Sequence, residues 1–167
     1  RGLGDVYKRQ IGGYTRGCQM EEGLEKGSLL AQIHRAFGGE EIDIRTYSPL
    51  TLAYIGDAVF EMIVRTLIVE KGQRAANTLH KHTTKIVCAQ TQAQLIDAVY
   101  ESLTEEEQDI YRRGKNTKIH SSAKNASLAD YRKATGFEAL CGYLFLKDDT
   151  VRILQIVHQA MNAMQIE

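Results

Sequence analysis

A chain of 167 residues is long enough for one well-cored domain and short for two. Its 21 basic and 21 acidic side chains cancel, so bulk electrostatics draws no polyanion, and any nucleic-acid contact must rest on local charge. Cys18, Cys88 and Cys141 fit neither a disulfide framework nor a zinc site, and no run approaches the ~20 apolar residues of a membrane span, so a cytoplasmic, non-membrane protein is expected.

Nine of the 14 glycines lie within residues 1–39, and the stretch up to Gly27 has neither helical nor strand periodicity. We read residues 1–27 as a disordered leader, an assembly remnant with Met20 as a candidate start, and residues 28–167 as one folded domain. From Ser28 onward the only proline is Pro49, and apolar residues recur at intervals of three and four. The spacing predicts an all-α protein with helices at about 28–37, 49–71, 76–101, 104–113, 127–147 and 149–164. Ser48 before Pro49 marks one helix start, and Thr104 with Glu107 and Ser127 with Asp130 have capping-box spacing.

The second predicted helix runs Leu50 to Phe60 with apolar residues nearly all round, which predicts burial and leaves Asp57 out of place. In the fifth, Glu138 is equally isolated between Phe137 and Ala139 in the run to Leu146. An unpartnered buried carboxylate costs several kcal/mol, so each acid must be paired, protonated, metal-bound or at a cleft edge. Gly56 adjoins Asp57, and Gly142 lies one turn after Glu138. Glycine within a helix costs roughly 0.5–1 kcal/mol against alanine, and a close helix crossing would account for it. A crossing there would turn the two acids toward one another as a Mg²⁺ site. The competing account is an ordinary salt bridge from each to a buried Arg or Lys. Glu61, four residues after Asp57 and four before Arg65, is either an extra ligand or half of a surface ion pair; the pair is the simpler account.

Between Ile110 and Ala129 there is no acid, while Arg112, Arg113, Lys115, Lys118 and Lys124 give a local charge of +5. With Gly114, Asn116, Thr117 and Ser121 alongside, we read this stretch as a basic loop able to hold phosphate oxygens, including through Asn116. Lys81 and Lys85, one turn apart on the third helix, are a second candidate phosphate contact. A solvated surface is the competing account of both.

The segments LAYIGDAVFE (52–61) and FEALCGYLFL (137–146) resemble the two catalytic signatures of ribonuclease III. With LHKHTTKIVCAQTQAQ (79–94) and RRGKNTKIHSSAKNASLADYR (112–132), the resemblance is to the Mini-III branch and spans about residues 43–165. It implies the ribonuclease III catalytic fold without a separate double-stranded-RNA-binding domain. By position, Asp57 and Glu138 match the family's catalytic, metal-binding pair, with Mg²⁺ as the implied cofactor. Ala53 and Thr135 stand where larger family members carry further carboxylates, a thinner acidic set that Mini-III shares and that leaves the number of metal ions open. Also implied are a homodimer, cleavage of double-stranded RNA to 5′-phosphate ends, maturation of the large-subunit (23S) ribosomal RNA precursor, and help from a large-subunit ribosomal protein. The alternative function is a catalytically silent double-stranded-RNA-binding module.

Overall fold

The computed structural model describes residues 27–38, 43–118 and 127–166. The chain divides between Glu40 and Glu41 into two units. The described part of the first is a helix, α1 (Leu29–Phe37), begun by Ser28, whose hydroxyl accepts from Ala31 N, and ended at Gly38 in the left-handed region.

In the second unit the described residues form α2 (Pro49–Glu70), α3 (Ala76–Val87), α4 (Ala89–Val99), α5 (Glu105–Lys115), α6 (Leu128–Leu146) and α7 (Thr150–Ala163). Two 3₁₀ turns, Ile44–Thr46 and Tyr100–Ser102, complete it. No strand occurs among the described residues, as the all-α expectation requires. None of their helices is long and apolar enough to cross a membrane.

The expected helix starts are present. Ser48 accepts from Thr51 N with Pro49 at the first turn, and Thr104 and Glu107 form a reciprocal capping box. Ser127 makes half of one: it accepts from Asp130 N, while the Asp130 carboxylate accepts from the Ser127 hydroxyl instead of reaching back to the backbone.

The centre of the unit is α6. Every residue from Ala134 to Phe145 is buried except Glu138, because α2, α4, α5 and α7 all pack around it. Two glycine crossings permit this. A Cβ added to Gly56 would lie 1.8 Å from the Glu138 carbonyl oxygen, and one on Gly142 would lie 2.0 Å from that of Leu52, so α2 and α6 touch backbone to backbone. Beside this contact Phe60 meets Phe137 edge to face, ring centroids 5.2 Å apart. The second crossing joins α5 to α6 at Gly114 and Gly136, where added Cβ atoms would meet Gly136 Cα at 2.9 Å and the Tyr111 ring at 2.7 Å.

Three expectations are corrected. The helix expected over 76–101 is broken at Cys88, whose ψ of 152° is extended. The β-branched run Thr83, Thr84, Ile86, Val87 weakens the helix before the break, and side chains of α4 take up the carbonyls it frees. Secondly, the helix expected to stop at residue 113 continues to Lys115, with Gly114 buried against α6 instead of opening a loop. Thirdly, α2 is buried along one side only. Leu50, Tyr54 and Met62 project from the other, Tyr54 being 83 % exposed.

One ion pair was hidden in the sequence. Glu107, 4 % exposed, accepts from Arg152 Nε and Nη2 of α7 at 2.7 and 2.8 Å, so a capping residue also ties α5 to α7.

Candidate active site

The Gly56–Gly142 crossing fixes the neighbouring acids. Asp57 follows Gly56 on α2, and Glu138 precedes Gly142 by one turn on α6, so backbone contact between the glycines brings both carboxylates to one cleft. This open cleft of about 400 Å³ is bounded by Ala53, Tyr54, Asp57, Tyr131, Thr135 and Glu138. Asp57 is exposed and Glu138 is half-buried, so the expected cleft edge, not the interior, holds the pair.

Burial lifts the Glu138 carboxyl to about 7; the charge of Asp57 adds to the lift, and a hydrogen bond from Gln92 opposes it. Asp57 is also raised, by desolvation first and by the charge of Glu61 second. The salt-bridge account of these acids fails among the described residues, where neither carboxylate meets a Lys or Arg. Glu138 Oε1 accepts from Gln92 Nε2 at 3.1 Å. Glu61 is held by Arg65 at 2.8 Å, the ordinary i, i+4 pair.

Two hard oxygen donors that meet no Lys or Arg among the described residues suit a divalent metal. The set is sparse: no group of three or more His, Cys, Asp or Glu side chains is gathered among the described residues. At the thinned positions, Ala53 is buried, and Thr135 spends its hydroxyl on Tyr131 O at 3.0 Å. A larger cavity, about 610 Å³ between α2 and α7, is lined by Ile63, Leu67, Val151 and Leu154 and carries no carboxylate, so it does not compete as the chemical site.

The expected phosphate contacts are more scattered. Arg112, Arg113 and Lys115 lie on the last turn of α5, where cations also complement the helix dipole. Arg112 pairs with Asp109 at 3.4 Å, and the Lys115 ammonium sits 5.9 Å from the Tyr111 ring centre. Asn116 caps α5 through its backbone N–H to Arg112 O, Lys118 is exposed, and Lys124 lies outside the described residues. Lys81 and Lys85 are exposed on α3. Lys85 shares a small cleft with Lys71, Arg74 and His82, a cationic cluster with no carboxylate on its walls. Among the described ones, none of these side chains bonds to Asp57 or Glu138. Sequence reasoning missed Lys71, Arg74 and Gln92. The first two were legible as cations before the third helix; Gln92 looked like any polar helical residue.

The family model for the ribonuclease III domain matches residues 50–149, a span that includes both acids. The chain belongs to the ribonuclease III family. Within it the similarity is to proteins named Mini-ribonuclease 3. That of Clostridium tetani is 44% identical over 134 residues, covering 78% of this chain and 89% of the relative. That of Streptococcus pneumoniae is 43% identical over 118 residues, 70% of this chain and 92% of the relative. A crystallised Fusobacterium nucleatum protein superposes with a TM-score of 0.66 at 30% identity, over 73% of this chain and 94% of that one. This ribonuclease III chain is therefore an endoribonuclease, and RNA is its substrate.

Proposed function

We propose that the chain is a Mg²⁺-dependent nuclease that cuts double-stranded RNA, with Asp57 and Glu138 as its metal ligands and catalytic pair. The observation that carries this reading is the Gly56–Gly142 crossing, which sets two carboxylates, neither paired with a Lys or Arg among the described residues, at the edge of one cleft. A bound Mg²⁺ would supply Lewis-acid polarisation of the scissile phosphate and a more acidic water. The protein's part is to hold the two carboxylates side by side on the helix crossing, where a bound cation would favour their ionised forms, and to keep one face of the cleft open to the phosphodiester. A single pair of acids with water completing the shell suits Mg²⁺, which keeps several of its waters.

Duplex RNA is recognised chiefly by shape and by phosphate contacts, a task open to cations spread over a surface. We assign it to Arg113, Lys115, Asn116, Lys118 and Lys124, with Lys81 and Lys85 on α3 and a lesser share for ion-paired Arg112. The exposed apolar row Leu50, Tyr54 and Met62, at i, i+4 and i+12 of α2, supports a homodimer in which this face packs on a second copy. The large-subunit ribosomal RNA precursor as substrate, a ribosomal protein as accessory and a cytoplasmic setting are carried by the family resemblance.

The test is cleavage of an end-labelled RNA duplex with Mg²⁺. Asp57→Asn and Glu138→Gln should each abolish cutting while leaving duplex binding intact. Retained cutting in both would remove the assignment.

A further inference from the structure

The break at Cys88 does more than shorten a helix. It frees the carbonyls at the end of α3, and the first turn of α4 takes them up: Thr91 Oγ1 donates to Lys85 O at 2.8 Å and Gln92 Nε2 to Val87 O at 2.9 Å. The Gln92 amide has two hydrogens, and the second goes to α6, where Nε2 donates to Glu138 Oε1 at 3.1 Å. One side chain thus joins the α3–α4 joint to a carboxylate of the candidate site. A helix unbroken through residue 88 would keep the Val87 carbonyl for its own ladder.

Gln92 is 2% exposed, and its own oxygen meets no hydrogen-bond donor among the described residues. Flipping the amide is no remedy, because it would set Oε1 against a carbonyl and a carboxylate oxygen. An orphaned buried acceptor is a cost to folding, and a Met side chain would fill nearly the same space without leaving that acceptor unmet. What glutamine provides over methionine here is its pair of N–H donors, and both are used.

We propose that Gln92 is a positioning residue of the carboxylate site, its buried amide holding Glu138 by Oε1 so that Oε2, which accepts no protein hydrogen bond among the described residues, remains available as the ligand oxygen. This rests on the reading of Asp57 and Glu138 as metal ligands. Partners that orient a ligating carboxylate typically account for 10- to 100-fold in metal affinity or activity.

The experiment is a Mn²⁺ titration of the full chain, free ion being read by electron paramagnetic resonance, for the wild type, Gln92→Met and Asp57→Asn. The wild type should bind, Asp57→Asn should not, and Gln92→Met should bind about 10- to 100-fold more weakly. Metal-free duplex affinity of Gln92→Met should match the wild type, and its cleavage should return within a few-fold at saturating Mn²⁺. Wild-type Mn²⁺ affinity in Gln92→Met would overturn the role of Gln92 alone; no Mn²⁺ binding by the wild type would overturn the carboxylate reading as well. A defect that excess metal fails to rescue would mark a structural role and also overturn it. Should Gln92→Met not fold, Gln92→Asn keeps the amide but is one methylene too short for both bonds. The same loss of Mn²⁺ affinity is expected there, and wild-type affinity would overturn the proposal.

Discussion

Gly56 lies so close to Glu138 that a single added methyl group would sit 1.8 Å from the Glu138 carbonyl oxygen. The carboxylate pair therefore depends on a residue without a side chain. Gly56→Ala must push α2 off α6, since its obstacle is backbone and not a movable side-chain tip. Overpacking of this kind costs typically 1–3 kcal/mol and here should reach at least the upper end. Urea unfolding should show a lowered midpoint together with lost cleavage, whereas wild-type stability in Gly56→Ala would contradict the crossing.

The metal-free protein should lose stability as pH rises. Glu138 is lifted from 4.5 to about 7 on folding, so between those values the folded state holds a proton that the unfolded state has released. Stability then falls across that window by up to about 3 kcal/mol and levels off above it. Glu138→Gln should flatten the profile and make the metal-free protein the more stable at pH 8. Urea midpoints at pH 5 and pH 8 check this; equal midpoints in the wild type would refute it.

Removing Arg152 should cost far more than a surface ion pair. Glu107 is buried and its pKa is lowered chiefly by the Arg152 hydrogen bonds, so Arg152→Ala strands a carboxylate under α7. A loss of about 3–5 kcal/mol is expected, with much of it regained in the Arg152→Ala, Glu107→Gln double variant. Thermal unfolding of the three variants decides the point, and a loss below 1 kcal/mol in the single variant would contradict it.

For duplex binding, the cations around α3 and those ending α5 should act through phosphates. Lys85→Ala, Arg74→Ala and Lys115→Ala should each reduce the slope of log affinity against log salt by about one. Arg112→Ala should change it less, because Asp109 already engages that guanidinium. Filter binding over a salt series would show unchanged slopes if these side chains face away from the RNA.

The apolar row on α2 should govern association. Tyr54→Asp is expected to convert a dimer to monomer in sedimentation while leaving helix content unchanged. A monomeric wild type would remove the basis of that expectation.

Much of this was legible in the sequence because local chemistry agreed with the fold. Ser48–Pro49 and Thr104 with Glu107 start helices as their cap chemistry dictates, and Gly56 and Gly142 announced a crossing because glycine in a helix needs a reason. The α3–α4 break was not legible. Cys88 has no helix-breaking chemistry, and the break is held by Thr91 and Gln92, whose bonds to Lys85, Val87 and Glu138 exist only in three dimensions. Gly114 was misread for the opposite reason: a glycine near Asn116 and Thr117 looks like a turn until Gly136 of α6 is set against it. Burial of α2 was overestimated because an apolar row that the fold leaves exposed reads the same in sequence as one that faces the core.

The most direct test is an anomalous difference map from a crystal soaked in Mn²⁺. The account predicts a peak in the cleft beside the Asp57 and Glu138 carboxylates. Mn²⁺ bound at other acids, with these two bare at saturating metal, would contradict it.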